Sequence, residues 1–200
     1  MKKLNFILIM TILFIGFSCN SKKSKHNTDI CISAEDIIDS IKQHEMPEEY
    51  GYILQVGDKA PDFTVTLDDG KEISLSDLKG KVVMLQFTAS WCPVCRREMP
   101  HIESQIWNKL KDNSDFFLMG VDRDEPMKVV QKFKKDMKVT YPIALDPNAD
   151  VFGLFSIKKS GVTRNVVIDK DGRIAFMTRL YKKEEFDNMI KVIDYLLCRD

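Results

Sequence analysis

The chain holds 200 residues, 44% of them hydrophobic, and its 30 lysines and arginines are matched by 30 aspartates and glutamates. This is enough apolar material for one well-packed domain with a tail. The even charge excludes the strongly basic surface expected of a nucleic-acid binder.

Lys2 and Lys3 precede an apolar run over residues 4–17, the charge and length layout of a secretory signal. At about 14 residues the run is shorter than the roughly 20 needed to span the hydrocarbon core of a bilayer. Gly16 and Ser18 lead to Cys19, an end that resembles a bacterial lipoprotein signal, where cleavage leaves a lipid-bearing cysteine as the first residue. Residues 1–18 are therefore expected to be removed, and Cys19 to anchor the chain to a membrane. Cleavage takes away two lysines and no acids, leaving 28 basic against 30 acidic groups. Residues 19–54 read as a linker, with Lys22, Lys23 and Lys25 in a solvated tether that can also attract anionic lipid. Ala34, Ile37, Ile38 and Ile41 after Ser33 predict a short helix over residues 34–44. In the oxidising surroundings of an exported protein, Cys31 and Cys198 can pair; two unrelated thiols are the alternative.

A single domain is expected over residues 55–200. Phe63, Val65 and Leu67, the Asp68-Asp69-Gly70 turn, then Ile73 and Leu75 give a hairpin. Residues 82–87, apolar except for Gln86, predict a central strand buried on both faces. A helix follows on Val94, Met99, Ile102, Ile106 and Leu110, with Pro100 expected to kink it. Residues 116–121 predict a second buried strand, 122–126 a loop, and Met127, Val130, Phe133 and Met137 a helix face. Later come an edge strand over 141–145, a short helix over 149–155, and strands over 166–168 and 174–178 around the Asp171-Gly172 turn. Phe186, Met189, Ile190, Ile193, Leu196 and Leu197 mark a closing amphipathic helix. Strands alternating with helices define an α/β fold with parallel strands.

Cys92 and Cys95 stand where the buried strand hands over to a helix. Unpaired N–H groups and the positive end of the helix dipole stabilise a thiolate there. An ordinary cysteine, with a pKa near 8.5, is only about 3% thiolate at neutral pH, and such settings lower the pKa to roughly 3.5 to 7.5. Cys92 is the expected nucleophile. Cys95, about one turn on, is placed to resolve the mixed disulfide. Pro93 suits the first helical turn, where its missing donor costs nothing. Trp91 is expected to shield the sulfur and offer partner proteins an apolar contact. The redox-active pair itself would serve in place of a cofactor. A zinc site lacks a second CxxC or a histidine pair, since His26, His44 and His101 are scattered. A Cu(I) site on the two thiolates, with His101 as third ligand, stays open.

Residues 80–100, GKVVMLQFTASWCPVCRREMP, resemble the membrane-anchored thioredoxin-like proteins of the TlpA and ResA kind. Residues 57–63, GDKAPDF, are similar to an entry segment that this family shares with the peroxiredoxins, and the likeness reaches Ile174. The resemblance implies a thioredoxin-like three-layer sandwich with an added N-terminal β-hairpin. It also implies thiol:disulfide exchange with exported proteins, more as reductant than oxidant, with an upstream membrane donor restoring the dithiol. The redox domain would then lie in the bacterial envelope, on the periplasmic side.

Two positions depart from the pattern. Gln86 stands where thioredoxins carry a buried aspartate, which makes Glu98 the candidate proton acceptor. Thr163 stands where the family places a cis-proline, and a cis bond before a non-proline costs about 3 kcal/mol, so the Val162–Thr163 bond is expected to be trans. Arg164 follows, near the place of an arginine that helps peroxiredoxins hold peroxide, so a thiol peroxidase is the rival enzyme. Leu85 and Ala89, where peroxiredoxins carry proline and threonine, weigh against it. A Cu(I)- or haem-pathway binding module is the alternative outside enzymes.

Overall fold

The computed structural model describes residues 46–199 together with Asp36, Ile38 and Asp39. The signal peptide, Cys19 and Cys31 lie outside the described residues. Asp36, Ile38 and Asp39 are helical, within the span predicted for a short helix, and Ile38 is buried in the core.

The apolar run around Gln86 forms β3 (Val82–Thr88), buried at all seven positions. Burial on both faces follows from its place in a seven-stranded mixed sheet, whose order is β2-β1-β5-β4-β3-β6-β7. In that sheet β1 is Thr64–Leu67, β2 Glu72–Ser74, β4 Phe116–Arg123, β5 Ile143–Asp146, β6 Arg164–Ile168 and β7 Ile174–Arg179. β3 runs parallel to β4, and β4 to β5, while β6 and β7 continue antiparallel. The hairpin β1–β2 is present, with Val65 opposite Ile73, and Leu75 opens a 3-10 turn instead of prolonging β2.

Two expectations are corrected in this sheet. The strand over 141–145 is interior, because β1 pairs antiparallel with its far side. Residues 122–126 are not all loop: β4 continues through Asp122 and Arg123, held by pairing with Thr88 on one side and with Leu145 and Asp146 on the other.

Helices cover both faces, giving three layers. On one face Met84, Leu118, Ile143 and Val167 pack against α1 (Pro93–Ile102), α2 (Met127–Met137) and α4 (Lys183–Cys198). On the other face Leu85, Phe87, Met119, Val121 and Val166 meet Phe152 and Phe155 of α3 (Asp150–Phe155) and the hairpin residues Phe63, Val65 and Leu67. The Phe87 ring lies edge-on to Phe152, with centroids 5.4 Å apart. Among the described residues no helix is long and apolar enough to cross a membrane.

Pro100 acts differently from a simple kink. α1 runs through it and opens one turn later into a wider turn over Glu103–Trp107, where the N–H of Asn108 reaches back to the Glu103 carbonyl. A missing N–H disturbs the regular ladder, and a π-type turn is one way a helix absorbs that disturbance. Ser104 Oγ donates to the Pro100 carbonyl at 2.7 Å.

The linker expected up to residue 54 gives way by residue 46. Tyr52 bridges to Ser156 and donates its hydroxyl to the Thr178 carbonyl at 2.6 Å, and Ile53 N–H bonds the Phe155 carbonyl. Gly51 makes this passage at φ +69°, where a β-carbon would press on Ser160 at 3.0 Å.

Candidate active site

β3 ends at Thr88, and a short turn brings the chain to Cys92, the N-cap of α1. Pro93 occupies the first helical turn, as expected. Cys92 and Cys95 are joined as a disulfide, with Cα atoms 5.4 Å apart. Cys92 Sγ accepts the Cys95 N–H at 3.2 Å. A helix start therefore places one of its unpaired donors on this sulfur. Cys92 keeps 5% of its surface exposed and Cys95 none. Trp91, directly before them, is 58% exposed.

The loop before β6 closes over the pair. Thr163 Oγ1 lies 3.1 Å from Cys92 Sγ and 3.4 Å from Cys95 Sγ. Thr163 itself is buried, and among the described residues every peptide bond is trans, including Val162–Thr163. A single hydroxyl thus faces both bonded sulfurs where the family pattern has a proline ring.

On the α1 face of the sheet, three buried polar side chains share one rung of the pairing: Gln86 on β3, Asn165 on β6 and Thr178 on β7. Glu98 of α1 reaches into this rung and is itself buried. Asn165 Nδ2 donates to Glu98 Oε1 at 2.7 Å and to Thr178 Oγ1 at 3.0 Å. Gln86 Nε2 donates to Glu98 Oε2 at 3.5 Å, and Gln86 Oε1 accepts from the Tyr141 hydroxyl at 2.7 Å. Burial pushes the Glu98 carboxyl up to about 7, against the two amide bonds that favour its charge.

The sign of that shift sets a stability profile. The folded protein holds the Glu98 proton up to about pH 7, whereas the unfolded chain releases it near the ordinary carboxylate value of 4.5. Stability from this group is therefore lost as pH rises between those values. Glu98→Gln is expected to flatten the profile there, since the carboxamide stays neutral across that range. Urea unfolding from pH 4.5 to 8 checks this.

Arg164 departs from the peroxide-binding expectation. Its guanidinium bonds the carbonyls of Tyr50 and Gly161 and the Ser160 hydroxyl, and lies over the rings of Tyr52 and Phe152. It is buried among these groups and makes no contact with either sulfur, because the side chain next to Thr163 on a strand points to the opposite face. His101, weighed as a third copper ligand, is half-buried and stacked on Tyr181 at 5.1 Å. Among the described residues no three His, Cys, Asp or Glu side chains converge on a point that could hold a metal ion.

A thioredoxin-like sandwich with a vicinal CxxC disulfide at a helix start is the architecture of a thiol:disulfide oxidoreductase. Residues 55–194 match the Redoxin family, and the chain belongs to it. A thiol-disulfide oxidoreductase ResA of Bacillus cereus is 36% identical over 121 residues, covering 60% of this chain and 68% of that protein. The ResA of Geobacillus kaustophilus is 32% identical over 141 residues, or 70% of this chain and 79% of its own length. A solution structure from Bacteroides thetaiotaomicron, described as a candidate protein disulfide isomerase, superposes with TM-score 0.73 at 56% identity, covering 74% of this chain and 94% of that one. A Chlorobium tepidum structure described as a candidate thiol:disulfide interchange protein DsbE gives TM-score 0.61 at 28% identity, covering 72% and 99%.

Sequence reasoning missed Tyr141, Asn165 and Thr178 as neighbours of Glu98. The signal was weak: each only borders an apolar stretch, Tyr141 after Thr140, Asn165 after Thr163 and Arg164, and Thr178 before Arg179.

Proposed function

We propose that the chain reduces disulfides in exported proteins, with Cys92 attacking and Cys95 resolving. The observation behind this reading is the cysteine pair itself: the sulfur with residual exposure also accepts the helix N–H and faces the Thr163 hydroxyl. Cys92 thiolate forms a bond to one substrate sulfur, and the other leaves as a thiolate that takes up a proton. Cys95 then loses its proton and attacks Cys92 Sγ, expelling the second substrate thiolate and closing the internal disulfide. Two electrons pass from the pair to the substrate, and a dithiol donor upstream returns them. Thr163 stabilises whichever sulfur is anionic, and Glu98 accepts the Cys95 proton through the buried polar side chains around it. Exposed Trp91 contacts the partner protein. Cys19, lipidated after cleavage at residue 18, holds the domain at a membrane of the bacterial envelope.

Insulin-disulfide reduction, driven by a chemical dithiol, tests the activity. The expected result is turnover with insulin and negligible peroxide consumption. Fast peroxide removal, or tight Cu(I) binding without any dithiol exchange, would overturn it.

A further inference from the structure

The turn that carries Cys92 is gripped from outside the machinery described so far. Glu125, in the loop between β4 and α2, accepts two bonds from Ser90: the backbone N–H at 2.5 Å on Oε2 and the hydroxyl at 2.6 Å on Oε1. Arg96 Nε donates to the Ser90 carbonyl at 3.0 Å, and Cys92 N–H bonds the Ala89 carbonyl at 3.1 Å. Every polar group of Ser90 is thus engaged, and the next two residues are Trp91 and Cys92.

Behind Glu125 lies Asp122, the next-to-last residue of β4, fully buried, with neither carboxyl oxygen receiving a donor. Burial, then the charges of Glu125, Asp124 and Asp146, push the Asp122 carboxyl up to about 8.

We infer that Glu125 is a positioning residue that fixes Ser90 through two hydrogen bonds and so orients the Trp91 ring for docking of protein substrates. The inference rests on the disulfide-exchange reading. Hydrogen bonds to a charged acceptor are among the stronger ones in proteins, so two of them on one residue make an effective clamp.

The test uses Trp107→Phe as background, leaving Trp91 as the single tryptophan. In that background Glu125→Ala is expected to lower Trp91 fluorescence anisotropy and raise KM for insulin roughly tenfold, the scale of a misplaced contact group. Reduction of hydroxyethyl disulfide, too small to need docking, should stay within about twofold of the background rate. Glu125→Gln, which can accept from only one Ser90 donor, should fall between, and serves if the alanine variant does not fold. Unchanged anisotropy and KM, or a parallel loss with both disulfides, would overturn the clamp. Absence of insulin reduction in the background protein would instead reject the activity, with anisotropy still reporting on Trp91.

Discussion

Replacing Cys92 with serine is expected to lower insulin-disulfide reduction by at least about 1,000-fold, because a hydroxyl with no base beside it cannot supply the nucleophile. Replacing Cys95 with alanine should give a different phenotype. The first attack still occurs, because Cys92 keeps its helix N–H and the Thr163 hydroxyl. The mixed disulfide then has no resolving thiol and accumulates. Non-reducing electrophoresis of envelope fractions should show covalent adducts with Cys95→Ala that collapse on reduction, and none with Cys92→Ser. Identification of the trapped chains by mass spectrometry would name the substrates. Adducts from Cys92→Ser and none from Cys95→Ala would reverse the assigned roles.

Thr163→Val is expected to raise the Cys92 thiol pKa by about one unit. The isosteric change removes one hydroxyl from a buried site where it touches both sulfurs. A hydrogen bond to a charged group contributes about 1.5 to 3 kcal/mol, and one pKa unit corresponds to about 1.4 kcal/mol. Below the pKa, a tenfold loss of thiolate is offset about threefold by higher intrinsic nucleophilicity, so the first step should slow by roughly three- to fourfold. The potential moves the other way: losing thiolate stabilisation in the dithiol makes the pair more reducing, by about 30 mV for about 1.4 kcal/mol. Thiolate absorbance against pH and equilibration with glutathione measure the two quantities, and Thr163→Ser should restore both. If valine leaves both unchanged, the hydroxyl has no part in the chemistry.

The features most readable in the sequence were those carried by local periodicity. β3 announces itself because a strand covered on both faces is apolar at successive positions, and α4 because its core residues recur with the helical period. Cys92 and Cys95 were legible because strand, turn and helix meet there. Properties that depend on what arrives from elsewhere in the chain were not legible. Whether residues 141–145 form an edge is decided by β1, far earlier in the chain, where Thr66 pairs with Leu145. Asp122 read as a loop residue because charged side chains rarely enter cores unpaired; its burial beside Glu125 is a tertiary fact. Arg164 shows the same limit, since its partners at Tyr50 and Tyr52 lie in a stretch that read as linker.

The rung of Gln86, Asn165 and Thr178 that surrounds Glu98 also bears on how the sheet finds its alignment. Apolar strands such as β3 and β6 offer many interchangeable partners, and hydrophobic contact alone discriminates weakly among offsets. A slip of one residue between them would set Asn165 against Leu85 or Phe87 and turn it away from Glu98 toward the opposite apolar layer. Each displaced amide would then be buried without a partner, at about 1 to 3 kcal/mol apiece. The side chains that surround Glu98 therefore act as a key for strand pairing, and apolar replacements there would blur the alignment of β3, β6 and β7.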